Sequence, residues 1–142
     1  MMKINDILEM AVGMGACTLA KRSYDTWEEL SKLFLSPQGI EFCQNNKFPS
    51  LKIWEDIKKS ENVRKIGFYI NDGDVIGCNA PHNVIVGNTS AKLTFNSLGM
   101  YRVILMHGAK ADIEATNYSV LNIVKIGECK VNLKTDKTVR LT

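Results

Sequence analysis

His82 and His107 are the only imidazoles in this chain of 142 residues, so acid-base and metal chemistry can be enumerated from them. His82 closes the run Cys78-Asn79-Ala80-Pro81-His82. A thiol touching an imidazole can pass it a proton and become a nucleophilic thiolate. Pro81 restricts the backbone between them, and the run reads as a turn; closeness in sequence does not by itself bring the side chains together. His107 precedes Gly108 at the end of an apolar run, where a ring can cap the turn or bond a carbonyl. Asn71-Asp72-Gly73-Asp74 begins like a calcium loop. Counted from Asp72, however, position 12, which must carry a carboxylate, is Asn83, and the ligand order is wrong, so it reads as a plain turn.

The other reactive side chains narrow the chemistry further. Cys17, Cys43, Cys78 and Cys129 are separated by 26, 35 and 51 residues, with no C-x-x-C pair to hold zinc or to run redox exchange. Free thiols in a reducing cytoplasm are the expectation. Gly77, Gly87, Gly99, Gly108 and Gly127 recur without forming a phosphate-cradling pattern. No catalytic, cofactor-binding or metal-ligating residue is therefore assigned, and no cofactor is expected.

Charge excludes a second class. The formal net charge is +3, with ten basic and nine acidic residues up to Ile66 and eight against six beyond it. Neither half is a basic footprint, which disfavours nucleic acid as a partner. A helix-turn-helix can be drawn from Ser36-Pro37 through Cys43 to the helix after Ser50, but its second helix sets Lys52, Lys58 and Lys59 beside Glu55 and Asp56. No apolar run approaches the ~20 residues of a membrane span. Met10 to Cys17 is apolar and ends like a lipoprotein cleavage site, yet Asp6 and Glu9 interrupt it, and an amphipathic first helix accounts for it better.

The elements that must position these residues follow from a change of hydrophobic period near Gly67. After it, apolar pairs at i and i+2 fall at Val84/Val86, Leu93/Phe95, Val103/Leu105, Ala111/Ile113, Leu121/Ile123, Val131/Leu133 and Val139/Leu141, with offsets of 9, 10, 8, 10, 10 and 8. A two-residue period puts both members of a pair on one strand face. Gly, Asn, Ser, Thr and Asp fill the intervals and turn the chain. The spacing predicts a β-solenoid, with recurring Asn residues laddering between coils; an antiparallel meander or sandwich is the alternative. The six-residue period of acyltransferase β-helices is absent. Val103, Leu105, Ile113, Ile123 and Leu133 should face inward, and Arg102, Asp112, Glu114, Asn122, Asn132 and Lys134 outward or into turns.

Before Gly67 the period is helical. Asn5 is the expected cap of a helix carrying Ile4, Leu8, Ala11, Val12 and Leu19, and Asp25 with Glu28 makes a capping box for a second. Ser36-Pro37 opens a third helix that Asn45-Asn46 stops. Ser50 caps a fourth with Leu51, Ile53, Trp54 and Ile57 inward. Trp27, Phe34, Phe42, Phe48 and Trp54 should form the core of this small bundle. The fold class expected is α+β: a helical region over 1–66, packed on a β-rich repetitive domain over 67–142.

One resemblance accompanies this reading. Thr26-Trp27-Glu28-Glu29-Leu30, Leu35-Ser36-Pro37-Gln38-Gly39, Glu41-Phe42-Cys43 and Phe48-Pro49-Ser50-Leu51 resemble a group of small uncharacterised proteins encoded by gut anaerobes and their mobile elements or phages. The resemblance covers mainly residues 24–54, with an echo at Leu105-Met106-His107-Gly108-Ala109. It implies a bacterial or phage origin and transfers no site residue. The function expected is a non-catalytic structural or protein-interaction module, cytoplasmic, pairing with itself or another protein. The terminal strand Thr138-Val139-Arg140-Leu141-Thr142 leaves an edge open, which places Val139 and Leu141 at or near the interface. The alternatives are a regulator with a nucleic-acid- or protein-binding helical half, and a small enzyme or ligand binder using His82 or His107.

Overall fold

The computed structural model describes residues 4–15 and 26–142, which divide into two compact units meeting at Val63/Arg64. Among the described residues the first contains four α-helices: α1 (Ile4–Gly13), α2 (Trp27–Phe34), α3 (Pro37–Asn46) and α4 (Leu51–Ser60). Three begin on a hydroxyl cap. The side-chain oxygens of Thr26, Ser36 and Ser50 accept hydrogen bonds from the backbone N–H of Glu29, Gly39 and Ile53, satisfying donors that the first helical turn leaves open. The caps at Ser36 and Ser50 are those expected. The cap of α2 is Thr26 rather than Asp25, because Thr26-Trp27-Glu28-Glu29 is itself a capping-box sequence one residue later; Asp25 lies outside the described residues. Asn5, the expected cap, is the second residue of α1 rather than the residue before it. Leu19, Ala16 and Cys17 are likewise outside the described residues, so the expectations placed on them stand apart from the structure.

The aromatic cluster of the bundle forms as expected. Trp54 is fully enclosed, with Trp27 edge-on at 6.1 Å and Phe34 edge-on at 5.3 Å, while Phe42 meets Phe48 at 5.9 Å. Such edge-to-face pairs each add about 0.5–1.5 kcal/mol beyond burial. Gly39 is where α3 starts against the end of α2: a Cβ there would lie 2.1 Å from the carbonyl oxygen of Leu33.

The second unit is a parallel β-solenoid of about four turns. Its strands are β1 (Phe68–Ile70), β2 (Gly73–Cys78), β3 (His82–Val86), β4 (Thr89–Phe95), β5 (Gly99–Met106), β6 (Lys110–Ala115), β7 (Ser119–Ile126), β8 (Lys130–Thr135) and β9 (Arg140–Leu141). Odd strands build one sheet in the order β1-β3-β5-β7-β9, even strands a second in the order β2-β4-β6-β8, and every pairing is parallel. Each coil contributes one strand to each sheet. The meander is thereby excluded.

The register changes once. Phe68 pairs with Val84 and Gly73 with Thr89, a step of 16 residues; His82 pairs with Arg102, Ser90 with Lys110, Gly99 with Ser119, Lys110 with Lys130 and Val120 with Arg140, a step of 20. The added residues widen the corner between β4 and β5, where Tyr101 stacks on Phe95 at 4.6 Å and donates its hydroxyl proton to the carbonyl of Ser97 at 2.9 Å.

The lumen is lined by Val75, Ile85, Leu93, Phe95, Val103, Leu105, Ile113 and Leu121 among others, with Ile123, Val131 and Leu133 partly buried against them. The even sheet alternates cleanly between this lumen and solvent, as in Lys110–Ala115. The odd sheet does not. Phe68, Ile70, Val84, Val86, Ile104 and Met106, on its opposite face, are buried too, and its strands therefore read as continuous apolar runs. Val84 and Val86 do share a face, but the lumen side of β3 is taken by Asn83 and Ile85.

Candidate functional site

The corners of the solenoid position the residues singled out for chemistry. The first column of corner residues, one register step apart after each odd strand, is Asn71, Gly87, His107 and Gly127; all four have positive φ, between 49° and 79°. Asn and His adopt this left-handed conformation more readily than other side-chain-bearing residues, so His107 occupies a position its backbone dictates. On the other side, Asn79 and Asn96 ladder across coils: Asn79 accepts from the Asn96 backbone N–H at 2.9 Å and donates its amide to Asn96 Oδ1 at 2.7 Å. Asn117 donates to the Asn96 carbonyl at 2.7 Å.

His82 begins β3, opposite Arg102. Partial burial, and then the guanidinium charge of Arg102, lower its pKa. A thiolate-imidazolium pair needs the opposite, a neighbour that favours the protonated ring. Cys78 ends β2 in the other sheet, exposed, and no hydrogen bond joins it to His82. His107 follows Met106 at the far end of the odd-sheet strands, five residues along from Arg102, roughly 16 Å at the rise of a strand. The two histidines do not share a site.

Asp72 is committed to its turn. Its carboxylate accepts from the Ile70 N–H at 3.2 Å and lies 3.8 Å from the Arg64 guanidinium, while its own N–H donates to Thr89 Oγ1 at 3.0 Å. Among the described residues no three or more His, Cys, Asp or Glu gather in a metal-binding group. Cys43 is buried in the helical unit, and desolvation pushes its thiol up to about 12, which keeps it protonated. It borders an apolar cavity of about 390 Å³ walled by Trp27, Phe34, Phe42 and Phe48. On α4 the exposed positions mix Lys52, Lys58 and Lys59 with Glu55, without a basic face.

What remains is the last coil. Within the chain β8 pairs with β6 alone, and β9 is two residues long. Ala111 and Ile113, in the coil before, are 3% and 1% exposed; Val131 and Leu133, directly below them in register, are only half-buried. Val139 is half-buried and Leu141 is 60% exposed. No model of a known protein family, no curated protein and no solved structure matches this chain. No helix among the described residues is long and apolar enough to cross a membrane.

The two edges of that coil differ in one residue that sequence reading passed over. Lys125 takes the lumen-side position of β7 opposite Leu105, where β9 no longer reaches. An inward-placed charge on a free edge blocks pairing with another chain. β8 has Val131, Leu133 and Thr135 at its lumen-side positions and carries no such block. The signal was visible as a break in the apolar pattern after Ile123, but only the register shows which strand edge it guards.

Proposed function

We propose that this chain is a non-catalytic structural or protein-interaction module that self-associates through the last coil of its solenoid, with Val139 and Leu141 at or near the interface. One observation carries the reading: Val131 and Leu133 are only half-buried at positions equivalent to Ala91 and Leu93, and to Ala111 and Ile113, which the two preceding coils enclose. Partly uncovered lumen side chains beside an unpaired strand edge are a template for another strand. The free thiols Cys43, Cys78 and Cys129 suit a reducing cytoplasm. A bacterial or phage origin rests on the resemblance over residues 24–54 alone.

The test is light scattering on the intact chain and on a form truncated after Lys137. The intact chain should be a homo-oligomer at tens of micromolar, roughly the upper range of a weak specific interface, and truncation should weaken it. A strictly monomeric intact chain would sink the proposal.

A further inference from the structure

The open coil carries enough stereochemistry to specify how two copies would meet. Resting on the self-association reading above, we propose that β8 of one copy pairs antiparallel with β8 of a second, end to end, across a two-fold axis through Leu133.

The backbone fixes which groups are offered. Lys130 N–H bonds to the Ala109 carbonyl at 3.2 Å and Asp136 N–H to the Ala115 carbonyl at 3.4 Å, so the even residues of β8 turn their peptide groups toward β6. Peptide groups alternate along a strand, and Val131, Leu133 and Thr135 therefore aim N–H and C=O at the free edge.

The ends of the solenoid choose the occupant. Stacking head to tail needs both ends open and would grow without limit. The lumen residue of the first coil's even strand, Val75, is only 5% exposed, and Arg64 lies over the Tyr69 ring at 5.4 Å while approaching Asp72. β2 is unpaired on its outer side just as β8 is, but its lumen residue Val75 is enclosed where Val131 of β8 is half-buried, so the two ends differ in the apolar surface they offer. Joining two like ends gives an isologous dimer, which terminates.

Charge then selects the register. An axis on Asn132 would set Lys130 of each copy directly opposite Lys134 of the other, two like-charge pairs of the kind that destabilise a sheet. An axis on Val131 would oppose β8 largely to corner residues before Lys130. With the axis on Leu133, Leu133 meets Leu133, Val131 meets Thr135, Asn132 meets Lys134, and Lys130 meets Asp136. All the outward-pointing groups of Val131 to Thr135 are then paired, and the two facing charge pairs, one on each side of the axis, are opposite in sign.

Cysteine cross-linking reads this register in the full chain with Cys17, Cys78 and Cys129 changed to Ser, the remaining Cys43 being buried. Paired residues on the axis stand about 5.5 Å apart between Cα atoms, within disulfide range, whereas residue 132 of the two copies would stand diagonally, about 7–8 Å apart. Mild oxidation of Leu133→Cys should give a covalent dimer as the main species, and Asn132→Cys should give little. Lys134→Glu supplies a check without cysteine: facing Asn132, it should change the dissociation constant by less than about threefold, but facing Lys130 it would tighten it about tenfold or more. A dimer that cross-links through residue 132, or that Lys134→Glu tightens, overturns this geometry and leaves self-association standing. A chain that sediments as a monomer at tens of micromolar overturns both.

Discussion

At the scale of single residues the solenoid is held at its corners by side chains that do the work of backbone. Asn79 takes a left-handed conformation, φ 54°, and makes two bonds to Asn96 one coil on. Replacing it with Ala forces a Cβ-bearing residue without local hydrogen bonds into that region and removes both contacts. Denaturant unfolding should show a loss of about 1–3 kcal/mol. Asn79→Gly keeps the conformation accessible and should cost less. His82 supplies a pH signature. Its folded pKa lies below the ordinary 6.5, through burial and then Arg102, so the unfolded chain takes up the proton first. Stability should be flat above about pH 6.5 and fall as pH drops below it through the depressed folded value. Titration of the unfolding free energy checks this, and His82→Asn should remove the slope in that window.

At the scale of elements, the widened corner is the point on which the longer coils depend. Tyr101 fills it by stacking on Phe95 and bonding the Ser97 carbonyl. Tyr101→Phe should cost only about 0.5–1.5 kcal/mol, the worth of one hydrogen bond, and Tyr101→Ala about 3–5 kcal/mol for the emptied space, both measurable by chemical denaturation. This element also marks how far the sequence could be read. Apolar pairs at i and i+2, recurring every 8 to 10 residues between turn-forming intervals, pointed to stacked coils without fixing how many strands each coil holds, and the Asn ladder followed from residue type alone. Val103, Leu105 and Ile113 lie enclosed on the lumen side as expected, and Asp112, Glu114, Asn132 and Lys134 lie outside. Two things were hidden. Val84-Ile85-Val86 is apolar on both faces, so alternation could not say that Ile85, with Asn83, faces the lumen. The step from 16 to 20 residues blurs the repeat, since Val84 aligns with Ile104 and not with Val103. The candidate interface was legible as an apolar pattern continuing through Val139 and Leu141. β8 itself was not, because which edge stays unpaired is a property of the register.

At the scale of the whole solenoid, each coil touches only its neighbours, and stability should grade along the stack. Backbone amides of β3 to β7, enclosed between coils, should exchange with solvent most slowly, and those of β8 and β9 fastest in dilute protein. Hydrogen exchange followed by mass spectrometry checks this. Raising the protein concentration should protect Val131, Leu133 and Thr135 specifically, and leave β4 unchanged.

The constant step of 20 residues after the first coil also makes length a separable variable. A segment that begins and ends at equivalent corner positions, such as Gly87 to Met106, carries one strand for each sheet and one of each corner. Duplicating it inserts a complete layer and advances the stack by about 4.8 Å, the spacing between neighbouring strands. Every residue beyond the insertion keeps its face, its corner and its neighbour. Reach along the axis can thus be lengthened in uniform increments while the terminal chemistry stays the same, as a ruler gains divisions without changing its ends.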